Sequence, residues 1–433
     1  MISQKMQDSQ ISCLEALVPR GLIQCGKTIA GTSVTPEGLC PISIYCKDGL
    51  VVNIEPIINP KKKSLKVLLP RFVEPHAHLD KAFTWEEYPN LSGTYEGALR
   101  ENLKEHRSRT KRLVFSRAER ALKLALVNGF RAIRSHVDST GIGSDLTWEA
   151  LLELKHDWRF LIHLELVALV PLNFWSTSDG IVLAKKLAKQ NACLGGVLVP
   201  PFKAEKVRKD LFNLFKIAND LGCGVDLHID ESSKKPGSGL KELINVLGRL
   251  KVDVPITCSH LSSMGLLRAS RIKYFASQLA EFEINVIALP LTNAWLLGRK
   301  AGETAIERPI APISQLQHEG VNVAIGGDNV RDPWFPAGNF DPLMLMSQSM
   351  LLTQLAPWKR LGISPFTSAP ARIMRLEWDG LIGIGHPADF IVFDANNWSE
   401  LLSGYVKRKI IIKGKFLEDN TSKFNDDIGN TYL

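Results

Sequence analysis

Two histidines one residue apart, His76 and His78, close an apolar run that begins at Val67. On an extended strand side chains alternate faces, so both imidazoles point the same way and can grip one metal ion. Alone, such a pair is more often a packing coincidence, but here it has company. His228-Ile229-Asp230-Glu231, Thr257-Cys258-Ser259-His260 and Gly326-Gly327-Asp328-Asn329 each follow a short apolar, β-rich run. Three neutral imidazoles and a carboxylate suit a borderline divalent ion such as Zn2+ or Fe2+. The expected ligands are His76, His78, His228 and Asp328, holding one divalent metal ion as cofactor. His136, which follows another such run, reads equally well as a hydrogen bonder behind the ligands or as plain core.

These residues must be positioned by the elements that carry them, and those elements recur. Apolar runs lie at Val67–Val73, Gly129–Ser135, Phe160–Leu164, Leu194–Val199, Gly224–Leu227, Pro255–Ser259, Ile284–Ala288 and Val321–Ile325. Each precedes a polar residue able to do chemistry, or a proline. Segments with helical spacing fall between most of them, such as Ala118–Val127, Glu149–Leu154, Ile181–Gln190, Lys209–Leu221 and Gly239–Leu250. Strand–helix alternation implies parallel strands with right-handed crossovers. Eight such units with reactive residues at the strand ends predict a (β/α)8 TIM barrel, its active site at the C-terminal mouth. A doubly wound open sheet would want a Gly-rich phosphate loop after its first strand, and the sequence has none.

Both chain ends depart from this rhythm. Residues 10–66 alternate in short β-like pieces, as in Ile42-Ser43-Ile44-Tyr45, and residues 378–420 do the same, as in Lys409-Ile410-Ile411-Ile412-Lys413. Each end is too small to bury a core alone, so the two are expected to form one small β-sandwich-like domain beside a barrel over 67–377. The last dozen or so residues are polar and are expected to take no fixed structure.

Composition narrows the function. The chain has 433 residues, 45% hydrophobic and 23% charged, the balance of a globular protein with a large core. No apolar run approaches the roughly 18 residues that span a bilayer, and the first residues are polar, so a cytoplasmic location and no membrane partner are expected. The seven cysteines (13, 25, 40, 46, 193, 223, 258) form no C-x-x-C pair and read as reduced thiols. The net charge of +8 is dispersed among Lys61-Lys62-Lys63, Arg107 to Arg112, Lys185-Lys186 and Lys407-Arg408-Lys409. Solvated faces explain such runs, so nucleic acid is not expected as a partner. A homo-oligomer is compatible with the chain.

Taken together, the motifs resemble the amidohydrolase superfamily, and most of all cytosine deaminase and its relatives, including N-alkyl triazine amidohydrolases. The resemblance rests on His-x-His after strand one, His-x-x-Glu after strand five, Ser-His after strand six and Gly-x-Asp after strand eight. Phe72-Val73-Glu74-Pro75-His76, Asn293-x-x-Leu296-x-Gly298-Arg299, Asp332-Pro333-Trp334-Phe335-Pro336 and Gly383-Ile384-Gly385-x-x-Ala388-Asp389 extend it over roughly residues 15 to 418. It implies a mononuclear hydrolase acting on a C–N bond of a small nitrogen heterocycle: a cytosine-like pyrimidine, a triazine or a cyclic amidine. The run Leu194–Val199 agrees, since it has no lysine to bridge two metals. In the chemistry so implied, Asp328 takes a proton from attacking water, Glu231 protonates a ring nitrogen, and His260 orients the water or stabilises the tetrahedral intermediate. The competing expectation is a catalytically inactive barrel serving as a scaffold or oligomeric partner, which would have no need of the ligands and Glu231.

The resemblance also implies substrate contacts from Glu165, Asn329, Trp334 and Trp295. Cytosine deaminases place a glutamine where Glu165 is expected, and a second aspartate where this chain has Asn329. A glutamine donates and accepts, whereas an ionised glutamate only accepts. Cytosine is therefore expected to be a poor substrate. Lys81 resembles the triazine-hydrolase side of the family.

Overall fold

The computed structural model describes residues 11–24, 34–58, 60 and 64–417. Cys25, the basic triplet at 61–63 and the polar tail lie outside the described residues. Eight parallel strands run in sequential order: β1 (Phe72–Ala77), β2 (Phe130–Asp138), β3 (His163–Leu169), β4 (Cys193–Leu198), β5 (Val225–Ile229), β6 (Ile256–His260), β7 (Asn285–Ala288) and β8 (Val323–Ile325). The sheet turns back on itself at Ala77 and Asp328, which form a parallel bridge, and the Asp328 N–H donates to the His76 carbonyl at 2.9 Å. This is the TIM barrel expected from the sequence.

Helices cover the outside, among them α1 (Tyr95–Ser108), α2 (Lys111–Asn128), α3 (Ser144–Asp157), α4 (Ser178–Ala188), α5 (Ala204–Leu221), α6 (Ser238–Leu247) and α7 (Ala269–Glu281). Local chemistry sets their ends. Thr110 caps α2 by accepting the Leu113 N–H, and Gly129 ends it at a φ of 99°, which only glycine adopts freely. A Cβ at Gly129 would fall 2.1 Å from Ile391, so the helix can turn into β2 only without a side chain there.

Both chain ends build the small sheets. Cys13–Pro19, Leu39–Lys47 and Leu50–Pro56 form one antiparallel sheet, while Leu68–Pro70 joins Phe390–Phe393, Arg408–Ile412 and Lys415–Phe416 in another. One buried cluster, including Val18, Ile42, Ile44, Phe390 and Ile411, draws on both ends. Neither end could bury such a core alone. Among the described residues no helix is long and apolar enough to cross a membrane, and no disulfide forms.

Candidate metal centre and catalytic pocket

Alternation along β1 puts Glu74, His76 and, one residue past the strand, His78 on one face. The three have different tasks. Glu74 is buried, and its carboxylate accepts the backbone N–H of His76 and that of Gly327, each at 3.0 Å, tying the first strand to the loop that carries Asp328. Burial pushes the Glu74 carboxyl up to about 8. A Cβ at Gly326 would fall 2.9 Å from Glu74 Oε1, which explains the glycine there.

His76 and His78 turn their Nε2 atoms to Asp328, at 3.5 and 3.2 Å from Oδ1. The His228 ring lies 4.7 Å from that of His76 and 5.5 Å from that of His78. One ligand atom each from His76, His78 and His228, and likewise from His76, His260 and Asp328, lie within 4.8 Å of one another. His76 Nε2, both His228 nitrogens, His260 Nε2 and both Asp328 oxygens are buried yet make no hydrogen bond. Buried polar atoms without partners are expensive, and here they converge on one another. A divalent cation would satisfy one atom each of His76, His228 and Asp328.

The protonation states agree. Burial, reinforced by neighbouring imidazoles, holds His76 and His228 well below the ordinary histidine value, and they stay neutral, as metal ligands must. Burial opposes ionisation of Asp328, but His78 and His260 beside it hold its carboxyl below the usual range. His76 Nδ1 lies 2.9 Å from Ser259 Oγ, whose own proton goes to Asp226 Oδ1 at 2.7 Å. Ser259 must therefore accept from His76, which fixes the proton on Nδ1 and frees Nε2.

Glu231 follows β5 and is 5% exposed. Burial and the nearby Asp328 charge raise its carboxyl well above the usual range, so it carries a proton. Its Oε1 lies 3.7 Å from His260 Nδ1, and the Asn293 amide nitrogen, a donor only, is 3.0 Å from that same nitrogen. Neutral His260 thus bears its proton on Nε2 and can donate from there. Burial lowers His260 to about 4. Asp230, His260 and Asp328 take positive φ values of 55°, 73° and 64° at their strand ends. For residues with a Cβ this conformation is unfavourable, and it clusters where side chains are re-aimed for function.

These groups floor a cavity of about 790 Å3, whose wall includes His78, Lys81, Asp138, Leu169, Leu172, Phe202, Asn329 and Trp334. Asn329 reaches it, with its amide donating to Asp332 Oδ2 at 2.8 Å. Trp334 lines it, with Tyr95 edge-on at 5.0 Å. Trp295 does not line it; like Trp334, it packs against Ala98, Leu296 and Leu297.

Glu165 requires a correction. The third strand is His163–Leu169, so Glu165 lies near its start, away from the mouth. It pairs with Arg134 at 2.7 Å and does not line the cavity; Leu169, Val170, Pro171 and Leu172 supply the wall from this side. The apolar residues at 160–162 that suggested an earlier strand belong to the turn after α3. Arg134 and Asp226, to which the sequence assigned no role, join the base of the site together with Ser259 of the Ser-His motif. Their signal was a charged residue two positions before a histidine, in Arg134-x-His136 and Asp226-x-His228.

Comparison with known proteins agrees with this geometry. A family model described as amidohydrolase family matches residues 178–401, just over half of the chain. A pterin deaminase of Rhizobium rhizogenes is 28% identical over 411 residues, covering 92% of this chain and 93% of that protein. An N-isopropylammelide isopropyl amidohydrolase of a Pseudomonas species is 25% identical over 354 residues, covering 79% and 84%. The crystal structure of 5-methylcytosine deaminase from Klebsiella pneumoniae, liganded with phosphonocytosine, shares the fold with a TM-score of 0.77 at 24% identity, over 94% of this chain and 98% of that one. The chain belongs to the amidohydrolase family and is a hydrolase acting on C–N bonds.

Proposed function

We propose that this protein is a mononuclear metal-dependent deaminase that hydrolyses the exocyclic C–N bond of an amino-substituted nitrogen heterocycle. The observation that carries this reading is the convergence of unpaired donor atoms from His76, His228 and Asp328, with His78 beside them, next to the buried carboxyl of Glu231. The four residues would hold one ion, zinc or ferrous iron, and β4 offers no lysine to bridge a second. When bound, the ion supplies Lewis acidity and makes water nucleophilic near neutral pH. Asp328, held ionised, accepts the proton that the attacking water gives up. His260 donates from Nε2 to the oxygen that adds to the ring carbon. Glu231 delivers its proton to the ring nitrogen, Asp328 passes the proton it took from water to the exocyclic nitrogen, and the amine leaves as the hydroxyl proton of the intermediate returns to Glu231.

The cavity supports a substrate larger than one six-membered ring. Its 790 Å3 lies within the range of sites for drug-sized ligands, roughly 300–1,000 Å3. The similarity to a pterin deaminase points the same way, toward a bicyclic aminoheterocycle. Glu165, being outside the cavity, no longer argues against cytosine. The test is amine release from pterin, cytosine and N-isopropylammelide by protein purified without chelator, with bound metal measured by elemental analysis. One equivalent of metal and turnover of pterin are expected. Two equivalents, or no amine released from any of the three, would overturn the reading.

A further inference from the structure

Lys81 and Asp138 line the same cavity as His78, His228, Glu231 and Asp328, yet the reaction described above gives them nothing to do. Asp138 follows His136 by two residues on β2, so both side chains face the barrel interior, with Asp138 nearer the mouth. His136 in turn stacks on His76, ring centroids 3.8 Å apart. Asp138 therefore stands one layer above the metal-ligand cluster, at the level of a bound substrate.

The pair is built to be rigid and charged. Lys81 Nζ lies 2.8 Å from Asp138 Oδ1. Asp138 Oδ2 accepts from Arg109 at 3.1 Å and from Asn102 at 3.3 Å. Arg109, fully buried, also donates to Asp80 at 3.0 Å and to Glu105 at 2.9 Å, so the carboxylate cannot swing. Burial opposes the Lys81 charge, but Asp138 and Asp80 more than offset it. Two features remain open toward the cavity. Among the described residues, Lys81 uses one of its three hydrogens on a side chain, and Asp138 Oδ1 accepts only from Lys81. The Asp138 side chain is 17% exposed, against 3% for Lys81.

We propose that Lys81 and Asp138 read the lactam edge of the substrate, the carboxylate accepting a ring N–H while the ammonium donates to the adjacent ring carbonyl. This rests on the deaminase reading and names its substrate class: aminoheterocycles that carry a ring N–H beside a C=O. A donor and an acceptor side by side match such an edge, whereas an ionised carboxylate repels a bare ring nitrogen in the same place. Heterocycles without the lactam leave both charges unanswered.

The experiment measures kcat/KM of the metal-loaded native enzyme on pterin, on 3-methylpterin, which lacks the ring N–H, and on 4-thiopterin, which keeps the N–H but replaces the carbonyl oxygen with a weakly accepting sulfur. Cytosine with 1-methylcytosine replaces the first comparison if cytosine is the better substrate. Each loss is expected to lower kcat/KM by about 10²-fold, mostly in KM. Asp138→Leu, which offers no acceptor, should abolish the penalty for N-methylation, and Lys81→Met the penalty for loss of oxygen, with metal content unchanged. A structural role alone would lower all substrates together and leave these ratios intact, which overturns the proposal. Equal turnover of parent and analogues by the native enzyme overturns it without any variant, so a poorly folding variant does not matter. Turnover without discrimination sinks this proposal alone; absence of amine release sinks the deaminase reading with it.

Discussion

In the lower interior of the barrel, Arg134 donates to Glu165 at 2.7 Å, to Asp226 at 2.9 Å and to the Ile373 carbonyl at 3.2 Å. One layer above, His76, His228 and Asp328 are equally buried, but their facing atoms have no hydrogen-bond partners. Both layers are polar, and both lie where an unanswered charge is costly. The lower layer answers itself with an arginine between two carboxylates and needs no visitor. The upper layer gathers only acceptor atoms and a carboxylate, which stabilise one another only around a cation. A buried polar cluster is thus a site when its members cannot satisfy each other, and scaffolding when they can.

The sharpest way to break this comparison is to remove a member of the upper layer. His228→Ala should lose the metal and drop amine release to background, while circular dichroism shows an intact barrel. A variant that keeps a full equivalent of metal would mean that His228 is not a ligand.

A smaller effect is expected from Glu231→Gln, which removes a proton donor and leaves the ligands alone. Turnover should fall by about 10²–10⁴-fold with metal retained. The pH profile adds a second check. Burial raises the Glu231 carboxyl well above the usual range, so the active, protonated form persists to high pH and the rate falls on the alkaline side as the proton is lost. That alkaline limb should vanish in Glu231→Gln, and its persistence there would assign it to another group.

The smallest effect belongs to the lower layer. Glu165→Gln keeps an acceptor for Arg134 but removes a charge, and should lower stability by about 1–3 kcal/mol in urea unfolding. The ratio of kcat/KM for pterin and cytosine should not change. A shift toward cytosine would return Glu165 to substrate recognition and contradict its place near the start of β3.

His76, His78, His228, Asp328 and Glu231 were legible because alternation on a strand and position at a strand end are local properties. Glu165 was misplaced for a local reason too. The apolar residues Phe160 to Leu164 look like a strand, but the chain from Trp158 to Ile162 turns off the end of α3, and the strand starts only at His163. A shift of a few residues moves a side chain from the mouth of a barrel to its base. Trp295 could not be separated from Trp334 by type or motif. Only the folded structure shows that Trp334 lines the cavity and Trp295 does not.

The sequence by itself determined that eight apolar strands alternate with helices, and that most of their ends carry residues of the types that can bind a metal. Those facts follow from hydrophobic periodicity, which each segment expresses without knowledge of the others. The tertiary structure alone decided who meets whom. Glu74 reaches Gly327 across 253 residues, and Arg134 finds both Glu165 and the more distant Asp226. It also decided the aim of His260. Ser259 bonds inward to Asp226 and His76, so strict alternation would send His260 outward. A left-handed φ of 73° turns its ring back beside Glu231 and Asn293 instead. Such a conformation is unfavourable for an isolated residue, and it holds only because the closed barrel fixes both neighbours.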